Sequence, residues 1–191
     1  MILKKVHRDF ENYIKHLIDK TIIKVEYAEI DYQKLNGDFN EKPYYFTHFR
    51  NLDSIDFSIF LYSKTNEKIE IYWDDKFFQF GLGMKINEKS DFSDFKIWDV
   101  SNNQIWSGII GETIESAKLN WEEVTTTDEK NGTSETFIYP QDISLKFSNG
   151  IMVFISAAAF LNEHDNEVFG MCDNLTVTNN EELARKTKMI N

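Results

Sequence analysis

Cysteine, proline, positive charge and long apolar runs are all scarce in this 191-residue chain. Cys172 is the only cysteine, which excludes an intrachain disulfide and a multi-cysteine zinc site. Pro43 and Pro140 are the only prolines, so no proline-rich linker divides the chain, and one domain spanning 1–191 is expected. No apolar run approaches bilayer-spanning length, so no membrane partner is expected. The opening stretch Met1 to Phe10 mixes charged and apolar residues and lacks the pattern of a secretory signal, so a cytoplasmic location is expected. Lysine and arginine number 21 against 32 acids, a formal net charge of -11. Phosphate binding needs a positive stripe, so DNA and RNA are disfavoured as ligands. The deficit is uneven: residues 1–50 carry nine basic and eight acidic residues, and 51–191 carry twelve and twenty-four. Such acidity keeps a domain dispersed, and it also suits a surface shaped for a basic partner.

What the chain does have is aromatic and apolar mass. Hydrophobic residues make up 41% and aromatics 15%, enough to exclude disorder as the main state. The most ordered pattern runs from Tyr139 to Leu161. Asn149-Gly150 sits between two β-rich runs, which predicts a tight hairpin with Phe147 opposite Met152 and Leu145 opposite Phe154. The first strand alternates, as a half-buried strand does. The second is apolar on both faces, as an interior strand is, so Val153 and Phe154 should both be buried.

Taken in order, Leu3, Val6, Phe10, Ile14 and Leu17 recur at helical spacing, predicting an amphipathic helix over 1–19. Ile23, Val25 and Tyr27 should then share one face of a strand. Ile55 to Leu61, Ile69 to Trp73 and Phe78 to Ile86 read as a three-strand meander, with Gly81 and Gly83 marking a bend or a close approach over the backbone. Ser101 or Asn102 can cap a short helix carrying Ile105, Trp106, Ile109 and Ile110 and stopped by Gly111. Val124 to Thr136 predicts a polar hairpin, tipped by Asn131-Gly132, that projects into solvent. Glu167 to Cys172 and Leu175 to Val177 are short strand candidates. Asn179 or Asn180 should cap a final helix over 179–190, with Glu181 and Glu182 at its positive end and Arg185, Lys186 and Lys188 at its negative end. The fold class that follows is α+β: a mainly antiparallel sheet or bent pair of sheets, built from a meander and hairpins, with an N-terminal amphipathic helix and a short C-terminal one.

Chemistry-bearing patterns are few. His7 and His16 fall on opposite helix faces, and His48 and His164 lack metal-ligand spacing, so no metal and no cofactor is expected. Cys172 stands in an apolar, strand-like context, where free cysteine is usually inert. There is no nucleophile elbow, phosphate loop or dinucleotide fingerprint, so no enzyme is indicated. Carboxylates do cluster: Asp74-Asp75, Asp91 with Asp94, Glu122-Glu123 and Asp128-Glu129. Adjacent strand residues face opposite ways, which makes these poor acid–base dyads, and a contact patch is the functional reading that remains. An exposed Trp among Trp73, Trp98, Trp106 and Trp121 would suit an anchor for a protein partner.

The order of Val25-Glu26-Tyr27-x-Glu29-Ile30-Asp31-Tyr32, a loop with His48, Asp53-x-x-Asp56-Phe57, Ile71-Tyr72-Trp73-Asp74 and Phe80-Gly81-Leu82 forms a wider pattern. With Trp106-x-x-x-Ile110-Gly111-x-x-Ile114 and Tyr139-Pro140-Gln141-Asp142-Ile143-x-Leu145-x-Phe147-x-Asn149-Gly150, it resembles small bacterial immunity-type proteins of polymorphic toxin systems over residues 20–178. The resemblance implies a protein that neutralises a cognate toxin by binding it. The partner-binding residues expected are Asp74, Asp75, Asp91, Asp94, Glu122, Glu123, Asp128 and Glu129, facing a basic toxin. The alternative is a small-molecule-binding or enzymatic domain with a site around His48 and nearby carboxylates.

Overall fold

The computed structural model of the protein describes residues 1–31, 42–90, 95–128 and 130–190. In chain order come helix α1 (Lys5–Ile14), a 3-10 turn (Lys15–Leu17), strands β1 (Ile22–Ile30), β2 (Leu52–Ile55), β3 (Ser58–Ser63), β4 (Lys68–Asp74), β5 (Gly81–Ile86) and β6 (Phe95–Asp99). They are followed by β7 (Ile114–Thr127), β8 (Ser134–Phe147), β9 (Met152–Ala159), β10 (Phe169–Thr178) and helix α2 (Glu181–Lys186). Among the described residues the strands form two sheets, β5-β4-β3-β1-β6 and β2-β10-β9-β8-β7, with antiparallel pairing throughout. One core joins them: Val25, Tyr27, Ile59, Leu61 and Ile71 from the first meet Ile143, Leu145, Phe147, Val153 and Ile155 from the second. This is the expected α+β, mainly antiparallel architecture, in its two-sheet form.

β9 is the interior strand that its sequence announces, flanked by β8 and β10. Val153 lies in the core between the sheets, and Phe154 points to the opposite face, against Leu52, Ala158, Val168, Ala184 and Met189. The hairpin register differs from the expected one by one residue. Gly150 N–H donates to Phe147 O at 2.8 Å and Phe147 N–H to Ile151 O at 2.9 Å, so the loop is Ser148-Asn149-Gly150 rather than two residues. Leu145 therefore faces Val153, and Ile143 faces Ile155. A three-residue loop whose last residue has positive φ is a common hairpin closure, and Gly150 supplies φ +86°. The shift puts core-facing residues opposite core-facing residues, which fixes the register once both faces are buried.

Other boundaries move for local reasons. The N-terminal helix spans 5–14 with a 3-10 extension to 17, shorter than 1–19, and its buried stripe is His7, Phe10, Ile14 and Leu17. Val6 is 46% exposed. His7 takes the inward place because its Nδ1 accepts the Lys4 N–H at 2.9 Å and its ring packs on Trp121 and Phe77. Burial, and the charge of Lys4 beside it, hold its pKa below the usual histidine value. Ile23 is exposed, because an irregularity between Ile22 and Lys24 reverses the strand phase. Ile55 belongs to the second sheet, not to the meander: β2 pairs with β10, and the chain changes sheets at Asp56-Phe57. The meander is β3-β4-β5, and β5 begins at Gly81 rather than Phe78.

The segment from Ser101 to Gly111 is a series of turns rather than a regular helix. Asn103, not Ser101 or Asn102, caps it, its Oδ1 accepting from the Ile105 and Trp106 N–H groups. It still buries Ile105, Trp106 and Ile109 as the spacing predicts. The two late strand candidates merge into β10 with an irregular stretch between Gly170 and Leu175. Cys172 there is only half-buried. The C-terminal helix is confined to 181–186, within the expected 179–190, and Asn180 caps it by accepting the Leu183 N–H at 3.0 Å.

Candidate functional site

Of the eight acids singled out by sequence, Asp91, Asp94 and Glu129 lie outside the described residues. The other five fall into three settings. Asp74 ends β4, and exposed Asp75 follows it. Both line a cavity of about 350 Å³ together with Ile30, Phe57, Glu70, Tyr72, Trp73, Phe80 and Lys85. Glu122 and Glu123, opposite Tyr139 and Ile138 in β8, project to opposite faces of β7. Glu122 is half-buried, whereas Glu123 is exposed and lies 3.8 Å from the N-terminal ammonium. Asp128 sits in the exposed loop of the β7–β8 hairpin, its Oδ1 accepting the Lys130 N–H at 2.8 Å. Among the described residues, only Asp74 and Asp75 of these acids line a common cavity.

The pocket by Asp74 and Asp75 is built from aromatic rings. Trp73 meets Phe80 edge to face at 5.2 Å and Phe57 at 6.2 Å. Gly83 explains how β5 fits beneath it. A Cβ at that position would lie 2.7 Å from Tyr72 Cζ and 2.8 Å from Asp74 Cβ, so only glycine lets these groups lie across the strand. Pro140 of β8 likewise packs 3.1 Å from where a Gly81 Cβ would stand. Both are the close approaches that the glycines signal in sequence. Tyr72 Oη donates to Asp74 Oδ2 at 3.4 Å, and the Lys76 N–H donates to Oδ1 at 3.2 Å, which orients the carboxylate. The turn after Asp75 is pinned to the root of the β7–β8 hairpin: Phe77 stands 5.1 Å from Trp121, and Phe78 stacks on Phe137 at 4.4 Å. The turn that follows the pocket thus packs on the β7–β8 hairpin.

His48 lies in a larger, open cleft of about 640 Å³. Tyr44, Phe46, Thr47, Ser54, Asp56, Phe160, Leu161, Glu163, His164 and Asp173 also line it. Phe46 is 65% and Leu161 61% exposed, large apolar groups beside acids. Among the described residues no group of three or more histidine, cysteine, aspartate or glutamate side chains could hold a metal ion.

Sequence reasoning missed a polar knot between the sheets. Tyr27 Oη donates to Asp53 Oδ2 at 3.1 Å and accepts the Trp106 Nε1–H at 2.6 Å, while Asn103 Nδ2 donates to the same Asp53 oxygen at 3.2 Å. Burial raises Asp53 to about 6 against these stabilising bonds. Glu29, fully buried on β1, is raised to about 7, chiefly by burial and further by Asp56 and Asp53. Its Oε2 accepts the Tyr44 N–H at 3.3 Å; Oε1 and the Trp98 indole N–H have no bond of good geometry among the described residues, although Trp98 also opposes the upward shift. Asp142, on β8, is raised to about 7 by burial, with Asn120 Nδ2 donating to it at 3.1 Å. An acid within a short apolar run, as Glu29 is in Tyr-Ala-Glu-Ile, was the available signal. The knot ties the sheets together around β2, and Asp53 is held with two donors on one oxygen, an arrangement that fits a structural bond better than proton transfer.

Comparison with known proteins adds no relative: no family model, no curated protein and no solved structure matches the chain. Among the described residues no helix is long and apolar enough to cross a membrane.

Proposed function

We propose that this chain is a cytoplasmic immunity-type protein that binds and neutralises a cognate, basic toxin domain. The observation that carries the reading is the pairing of acids with aromatic rings: Asp74 and Asp75 on a pocket walled by Phe57, Tyr72, Trp73 and Phe80. Acids at an interface rim speed encounter with a basic partner and select it, while buried rings supply the affinity that salt does not screen. The excess of acids after residue 50 extends the same field. Catalysis is no part of this reading.

The test is recovery of the tagged protein from its native cell, followed by expression of each co-eluting basic protein alone and with this chain. The reading requires one that is toxic alone and tolerated together. Partners that are neither toxic nor basic would overturn it. A second reading, a small-molecule or enzymatic site around His48, draws support from the cleft that gathers His48 and His164 with Asp56, Glu163 and Asp173. It predicts a low-molecular-mass ligand that protects the protein thermally and loses that effect in His48→Ala.

A further inference from the structure

We propose that the pocket beside Asp74 and Asp75 receives an arginine side chain of the basic partner. The inference rests on the reading that the partner is a basic protein and specifies what it inserts. Three features define the occupant. The walls are aromatic, with Trp73 edge to face against both Phe57 and Phe80. Among the described residues, the charged groups of the lining are Glu70, Asp74 and Asp75 against the cation Lys85, so the pocket favours a positive guest. This side of the sheet already holds ammonium groups on rings: Lys85 Nζ lies 4.6 Å from the centroid of Tyr72, and Lys68 Nζ 3.6 Å from that of Phe60.

An aromatic wall and a carboxylate together select a flat cation that stacks on one and donates paired hydrogen bonds to the other. That combination is the chemistry of guanidinium rather than of a strongly hydrated ammonium point charge. Asp74 is held in place for such a bond by Tyr72 and by the Lys76 N–H, and it lies across Gly83, where no Cβ displaces it. Asp75, exposed at the mouth, stands where an approaching cation is met first. Glu70, buried and accepting from Ser90 Oγ at 2.8 Å, adds a third carboxyl to the lining.

The probe is Nα-acetyl-L-arginine amide, with the acetyl-citrulline amide, neutral and nearly isosteric, as control. Two-dimensional amide NMR of the full chain follows the titration. The arginine compound should bind weakly but saturably, moving the Trp73 indole N–H and the backbone amides around residues 70–75 and 80–85, while the citrulline compound moves nothing. Asp74→Asn with Asp75→Asn should weaken binding by about fivefold, the size expected of partly exposed ion pairs. Phe80→Leu, which keeps all charges, should weaken it as well. Equal response to citrulline, shifts centred on the His48 cleft, or no saturable response at any accessible concentration would each overturn the proposal. The probe needs no toxin. Arginine binding without a toxic partner sinks the immunity reading and leaves the pocket standing, and a toxic partner without arginine binding does the reverse.

Discussion

Glu29→Gln isolates one buried carboxyl of the fold. Glu29 is fully buried on β1, one of its oxygens has no bond of good geometry among the described residues, and burial lifts its pKa from 4.5 to about 7. Between those two values the folded protein keeps a proton that the unfolded chain has released. The native state therefore binds more protons across the window, and stability falls as pH rises through it. Each unit of separation corresponds to about 1.4 kcal/mol, so the full window amounts to about 3 kcal/mol lost between pH 4.5 and pH 8. Glutamine has the same shape and no charge to desolvate, so the variant should lack this part of the decline. It pays for the exchange with a buried amide N–H that is short of acceptors, a penalty of about 1–3 kcal/mol at every pH. Asp53 and Asp142, raised to about 6 and about 7, add slopes of the same sign to both proteins. The discriminating quantity is therefore the difference in pH dependence. Urea denaturation at pH 5 and pH 8 should show the wild-type protein losing about 2.5 kcal/mol more than Glu29→Gln. Parallel pH profiles for the two proteins would refute the assignment of a buried, proton-holding carboxylate.

Phe154→Ala should destabilise by about 3–5 kcal/mol in chemical denaturation, lost transfer energy plus a cavity beneath α2, and a loss under about 1 kcal/mol would contradict the packing described. A Cβ at Gly150 meets no atom within 4 Å, so Gly150→Val should lower the denaturation midpoint through backbone strain at φ +86°, and an unchanged midpoint would contradict the turn described. Gly83→Ala should lower thermal stability and shift the NMR signals of Tyr72 and Asp74 together, because the added methyl falls within 3 Å of both side chains. Unchanged signals would mean that the strand yields instead.

Much of the architecture is legible from period and turn chemistry. The interior character of β9, the solvent-facing Thr-rich hairpin, and the crowding over Gly81 and Gly83 all follow from local sequence. Register and sheet membership do not. Asn149-Gly150 is compatible with two loop lengths, and only the burial of both β9 faces selects the one in which Leu145 meets Val153. Ile55 and Ile59 continue one alternating pattern, yet the chain passes between sheets at Asp56-Phe57, a step that leaves no periodic trace. His7 displaces Val6 from the helix core because a polar ring can be buried when the Lys4 N–H satisfies it, which depends on Trp121 far along the chain. The acids were visible as pairs, but their grouping was not: Asp74 and Asp75 share a pocket with rings from three strands' neighbourhoods, while Glu122 and Glu123 are parted by the pleat of β7.

The central claim is that acids and aromatics around Asp74 hold a basic protein. Its most direct measurement is the association rate of the purified partner with wild-type protein and with Asp74→Lys/Asp75→Lys, at low and high salt, after circular dichroism has shown the variant folded. The account predicts an association rate that falls steeply with salt for the wild type, a slower and less salt-dependent rate for the variant, which keeps the other acids, and residual wild-type affinity at high salt from the aromatic walls. Identical rates for both proteins at every ionic strength would contradict it.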